Sequence, residues 1–118
     1  MTWYITITSD DKHSLSIETT SLVTFLSSIP VLQQTSPVTF GNAIGSPWVD
    51  IILAKCNDRG GYSSYHEYIP TIDIVELVCS AYEHREWYEN IATQIAEFLG
   101  WEAWEEGEER QICARSSK

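Results

Sequence analysis

Three histidines, three cysteines and two vicinal glutamate pairs are the residues of this chain that could do chemistry, and their spacing argues against most of it. A metal site needs ligands that converge, such as two histidines one helical turn apart or a CxxC pair. His66 is followed by Glu67, but no second histidine follows one turn later, so the HExxH pattern is missing. His13 falls in a turn, and His84 opens the segment His84-Arg85-Glu86 at the start of a helix, where the acid also suits the helix dipole. Cys56, Cys79 and Cys113 are far apart, and an odd number without CxxC spacing argues against both a disulfide framework and zinc. Cys56 and Cys79 lie in apolar runs, where a free thiol acts as a small hydrophobe. No metal and no cofactor is expected.

General acid–base catalysis needs two carboxylates whose pKa values the surroundings drive apart. Glu105–Glu106 and Glu108–Glu109 stand in a charged terminus that reads as exposed, where water keeps such groups ordinary. Glu76, inside an apolar run, is the best single candidate for a hydrolase. Its plainer reading is a place at a sheet edge or a pairing with Lys55 or Arg85. There is no GxxxxGK(S/T), GxGxxG or GxSxG motif, so no enzyme class emerges.

Charge says more. Seventeen acids against seven Lys and Arg give a net charge of −10, a field that repels nucleic acid and anionic membranes and speeds capture of cationic partners. Solubility alone is the bland alternative. Residues 81–109 carry nine glutamates against Arg85 alone, whereas residues 1–66 carry five acids against Lys12, Lys55 and Arg59. The negative charge is thus expected to gather on the last helix and the terminal strand. Within it stand Trp101 and Trp104, and large rigid rings dominate interface energetics. If "WEAWEE" is a strand, Trp104 shares a face with Glu102 and Glu106, and Trp101 with Ala103 and Glu105. With the Trp101 face inward, Trp104 becomes an anchor ringed by charge, to which Glu102, Glu105, Glu106, Glu108 and Glu109 contribute. The alternative is that Trp104 covers the sheet's end as core. A second candidate is the loop "NDRGGYSSYHEYIP", whose Tyr62, Tyr65, His66 and Glu67 could meet a partner. Tyr65 or Tyr68 could instead cap the core.

The elements that would position these residues read as follows. "TWYITIT" alternates as a half-buried strand, with Trp3, Ile5 and Ile7 on one side. Leu22, Phe25, Leu26 and Ile29 mark a short helix with an N-cap at Thr19 or Thr20 and a stop at Pro30. A brief strand at Val38–Gly41 sits in an otherwise irregular stretch. "WVDIILAKC" (48–56) and "TIDIVELVCS" (71–80) are apolar on both alternating faces, which predicts central strands covered on both sides. Tyr88, Ile91, Ala92, Ile95 and Leu99 form the stripe of a second helix that Gly100 ends, and Trp101 could fold back on its last turn. A final strand or hairpin closes the chain, with 114–118 frayed. The expected fold is α+β: a mixed, mainly antiparallel sheet of four to five strands packed by two helices, as one domain over residues 1–118. Whether the helices share a face is open. The start "MTWYITITSDDKH" lacks the basic-then-apolar pattern of a secretory signal and no apolar run is long enough to span a bilayer, so a cytoplasmic protein with reduced thiols is expected.

With "MTWYITI" opening, a short helix, two central strands and "WYENIATQIAEFLGWEAWEE" closing, the chain resembles the small cytoplasmic immunity proteins of bacterial polymorphic toxin systems, of which contact-dependent growth inhibition is the best known. The resemblance is one of organisation, length and acidity, with residues 87–106 the most suggestive, and it transfers no motif residue. It implies a stoichiometric inhibitor of a cognate toxin domain, commonly a basic nuclease, with no direct contact to nucleic acid or membrane and an open oligomeric state. A generic acidic adaptor without a toxin partner is the alternative, and a small enzyme the least supported reading.

Overall fold

The alternation of Trp3, Ile5 and Ile7 with Tyr4, Thr6 and Thr8 builds the strand β1 (Trp3–Thr8), beside which the sheet is assembled. The computed structural model describes residues 2–10, 12, 14–56, 68–80, 82–107 and 110–114. After β1 come β2 (Ile17–Glu18), α1 (Thr19–Ser27), β3 (Leu32–Ser36), β4 (Thr39–Asn42), β5 (Val49–Ala54), β6 (Thr71–Ile72), β7 (Ile74–Cys79), α2 (Arg85–Leu99), β8 (Glu102–Glu105) and β9 (Arg110–Cys113). Seven strands form one sheet in the order β3-β4-β5-β7-β1-β8-β9, and β2 pairs with β6 in a small ribbon. The class is α+β, as expected, with more strands than four to five. Every pairing among the described residues is antiparallel, so no mixed character is seen there.

Directly opposed residues of antiparallel strands share a face. The register therefore lines Phe40, Ile51, Leu77 and Ile5 in one row, and Leu53, Val75, Ile7 and Ala103 in the next. All eight are buried, each larger side chain contributing roughly 1.5–3 kcal/mol. Leu22 and Leu26 of α1 and Tyr88, Ile91, Ala92, Ile95 and Ala96 of α2 belong to the same core. Both helices thus cover one face, and Phe25 stacks on Phe98 between them at 4.3 Å. This corrects the expectation that 48–56 is covered on both sides: Asp50 and Ile52 on its other face are only partly buried.

Local chemistry sets the ends. Gly100 takes φ 74°, its N–H donates to Glu97 O and that of Trp101 to Ala96 O, a Schellman turn that folds Trp101 back into the core at 3% exposure. In α2, Ala96 rather than Leu99 completes the buried stripe. Thr19 does not cap α1. Glu18 holds the N-cap position without a side-chain bond, and the Thr19 hydroxyl donates to Ile69 O at 2.5 Å, tying the helix to the chain entering β6. The run 71–80 breaks at Asp73, whose carboxylate accepts the Cys56 N–H at 2.8 Å, separating β6 from β7.

Candidate functional site

The face of the main sheet opposite the helices carries three rows. Gly41, Asp50, Val78 and Tyr4 form one. Thr39, Ile52, Glu76, Thr6, Trp104 and Gln111 form the second, and Ala54, Ile74, Thr8 and Glu102 the third. The third row is closed off, with Ala54, Ile74 and Thr8 buried, while Tyr4 is exposed and Thr6, Trp104, Asp50 and Ile52 are half-buried. Glu106 continues the first row through its N–H, which donates to Tyr4 O at 3.0 Å, and its carboxylate accepts the Thr6 hydroxyl at 2.7 Å. A carboxylate held by a neighbouring strand is pre-positioned, so a cation that meets it need not order it first.

Glu102, Trp104 and Glu106 are brought together here as strand parity requires, with Trp101 on the opposite, buried side. Trp104 is half-buried among these acids rather than sealed into the core. Glu105 is the correction. Opposed to Ile5, it points under the helices and is 3% exposed. Arg110 satisfies it, donating from Nη2 at 2.7 Å and from Nε at 3.2 Å, and the same Nη2 bridges to Glu89 of α2. Hydrogen bonds first to Glu105 and then to Glu89 push the Arg110 pKa further above its already high value. Glu105 is therefore part of the fold and no docking acid.

The charge distribution also differs from expectation. The acids of residues 81–109 do not make one face. Glu86 and Glu97 are exposed on α2, on the helical side, Glu89 bridges to Arg110, and Glu102 and Glu106 lie on the opposite side of the sheet. Glu76 is not at an edge, because β7 is the middle strand of the seven, and it is buried in the centre of the helix-free face. Glu108, Glu109, Tyr62, Tyr65, His66 and Glu67 lie outside the described residues. Tyr68 is 52% exposed and so does not cap the core.

Three residues of this face went unremarked as binding groups: Tyr4, Trp48 and Asp50. Trp48 is 49% exposed, and Asp50 faces the same side one residue pair along β5. The available signal was the acid that interrupts the apolar run "WVDIILA" two residues after a tryptophan. Asp50 and Glu106 end up in one row across β5, β7, β1 and β8, three strand spacings or roughly 14 Å apart.

Neither Cys56 nor Cys79 offers a ready nucleophile. Burial, with Glu105 adding, pushes Cys79 up to about 12, and burial, followed by the Asp73 carboxylate, pushes Cys56 up to about 11. Both are protonated at neutral pH. Among the described residues no three His, Cys, Asp or Glu side chains gather as a metal site, and no helix is long and apolar enough to cross a membrane. What the helix-free face presents is hydrogen-bond acceptors and ring faces, the complement of lysine and arginine. Comparison with protein-family models, with curated proteins and with solved structures finds no match for this chain.

Proposed function

We propose that this chain is a cytoplasmic immunity protein that binds and neutralises a cognate bacterial toxin domain, a nuclease, by laying the helix-free face of its sheet over the toxin's basic active-site surface. The observation that carries the reading is Trp104 standing half-exposed between Glu102 and Glu106 on a sheet face that neither helix covers. Nuclease clefts are cationic because they hold phosphates. Carboxylates can occupy those positions, the net charge of −10 steers the encounter, and the indole slows dissociation once desolvated. Inhibition is then occupancy without turnover.

The test is co-expression with a toxin domain encoded immediately upstream of this chain's gene. Growth restored by the parent chain, with a one-to-one complex recovered, supports the proposal. A chain that captures basic proteins but never restores growth would be an adaptor, and substrate turnover abolished by Glu76→Gln would make it an enzyme. Either outcome overturns the proposal.

A further inference from the structure

From Thr19 to Val49 the chain holds no Asp, Glu, Lys, Arg or His, although 20% of all its residues are charged. At that average the stretch would carry about six charges. These residues build α1, β3 and β4, so the sheet is neutral at one end and acidic at the other. Counting inward from β3, the first charged residue of the sheet is Asp50, two strands away.

β3 is also an edge strand. Among the described residues it pairs with β4 alone, and Gln33, Gln34 and Thr35 are exposed in succession. Ala43 N–H donates to Val31 O at 2.8 Å, and the bonded pairs of an antiparallel ladder recur at every second residue. Gln33, opposite Gly41, therefore bonds inward to β4, and the main-chain N–H and C=O of Gln34 point out of the sheet. Leu32 fits the same parity, its N–H turning away from β4 to donate to Ile29 O at 3.1 Å. Such an edge is a template for another strand, and proteins commonly blunt it with charge. β9, at the far edge, carries Arg110, whereas β3 carries no charge. The bulge between Gln34 and Ser36 confines the open edge to the residues before it, so pairing there is short and reversible.

Charge decides what pairs there. A cationic partner gains nothing from a neutral edge and is drawn to the acids of the far end. Another copy of this chain carries the same −10 and can approach only where its own field is weak. With two β3 strands side by side, the two Asp50 carboxylates stand five strand spacings apart, roughly 24 Å, about three times the screening length in physiological salt. The side chains suit self-pairing as well. Across a two-fold axis at Gln34, each glutamine meets its own copy with Cβ atoms roughly 5 Å apart. An ion there would face its like, whereas an amide offers both a donor and an acceptor. Gln34, opposed to Phe40, stands on the helical face beside a hollow of about 480 Å³, whose uncharged walls include Val23, Pro37 and Tyr68 and leave room for the second glutamine.

We propose that this chain forms a reversible two-fold dimer in which β3 pairs antiparallel with β3 of a second copy about Gln34. The two sheets become one, with the helices of both copies on one side and both Trp104 faces on the other, left uncovered. The dimer does not depend on what binds at Trp104.

The experiment is sedimentation of the full chain over roughly a hundredfold range of concentration, for the parent, Gln34→Glu and Gln34→Lys. The parent is expected to pass from monomer to dimer, with a Kd that moves by less than about twofold from physiological salt to about 0.5 M. Each variant alone should dimerise about tenfold more weakly or worse, and an equimolar mixture of the two should regain the parent's affinity, because the axis then brings opposite charges together. Amide exchange of the parent, which needs no variant, should slow at Gln34 as concentration rises. A parent that stays monomeric, a dimer that both variants leave intact, a mixture no tighter than either variant alone, or Gln34 exchange independent of concentration would each overturn the dimer. So would steep tightening with salt, which would place the acidic ends against each other.

Discussion

Arg110 of β9 reaches back to Glu105 of β8 at 2.7 Å and bridges from it to Glu89 of α2, so one guanidinium joins the far edge of the sheet to the helix packed on it. Glu105 is almost wholly buried, whereas the Arg110 side chain is 45% exposed. The pair is thus a buried carboxylate sealed by a cation that keeps one side in water.

Removing the seal should cost more than the pair itself is worth, because it strands a charge under the helices. Arg110→Ala is expected to lower unfolding stability by about 2 kcal/mol, and replacing both residues, Glu105→Leu with Arg110→Met, to recover most of that loss. Urea denaturation reads both. A double variant as unstable as Arg110→Ala would contradict this account. It follows that reversing Glu105 to lysine probes folding rather than binding, so charge reversal on the docking face is confined to Glu102 and Glu106.

The Tyr88 hydroxyl ties α2 to β5 and β7 at the end of the sheet where Val49 opposes Cys79. It donates to Trp48 O at 2.5 Å and contacts Ser80 Oγ at 3.0 Å and the Ser80 N–H at 3.3 Å. Tyr88→Phe should cost about 1 kcal/mol, the net worth of a hydrogen bond whose partners at Trp48 and Ser80 are only partly shielded from water. Amide exchange at Val49 and Ser80 should speed up before that of Ile5 or Leu77. Unchanged exchange at Val49 and Ser80 would show that the hydroxyl does not hold this corner.

Thiol protonation supplies a pH signature. The folded chain holds the Cys79 proton up to about 12, against an ordinary value of 9.0. Below the ordinary value both states are protonated and the stabilisation is fully present. Above it the unfolded chain releases its proton first, so stability falls as pH rises from 9 toward 12, by at most about 1.4 kcal/mol per pH unit for this thiol. Cys79→Ala should flatten that decline relative to the parent in denaturation midpoints measured from pH 8 to 10.5. Identical slopes would contradict it. In the native state below pH 9, Cys79 should resist alkylation until the chain unfolds.

Legibility differed with the source of the signal. The period of Tyr88, Ile91, Ala92 and Ile95 and the following Gly100 define α2 because burial and capping act locally there. β3 was hidden, since "LQQTS" buries only Leu32 and an edge strand need not alternate. Parity alone placed Trp104 with Glu102 and Glu106 and set Glu105 with Trp101. Burial of Glu105 was missed because neighbouring glutamates look alike until Arg110, across a turn, selects one of them. The two-sided apolar character of 48–56 and 71–80 suggested covering on both faces. Ile52, Ala54 and Ile74 do lie on the helix-free side, but no sequence pattern records that Leu22 and Ile91 approach the same face.

The proposed inhibition requires a cationic partner to cover the helix-free face through Trp104 and its flanking acids. The most direct measurement is association and dissociation of the chain with its cognate toxin domain, across a range of salt, for the parent, Trp104→Ala and the pair Glu102→Lys with Glu106→Lys. Trp104→Ala should speed dissociation by about 2 kcal/mol or more, roughly thirtyfold, and the paired reversal should slow association and flatten its salt dependence, with folding unchanged. Parent-like rates and salt sensitivity in both variants would contradict the account.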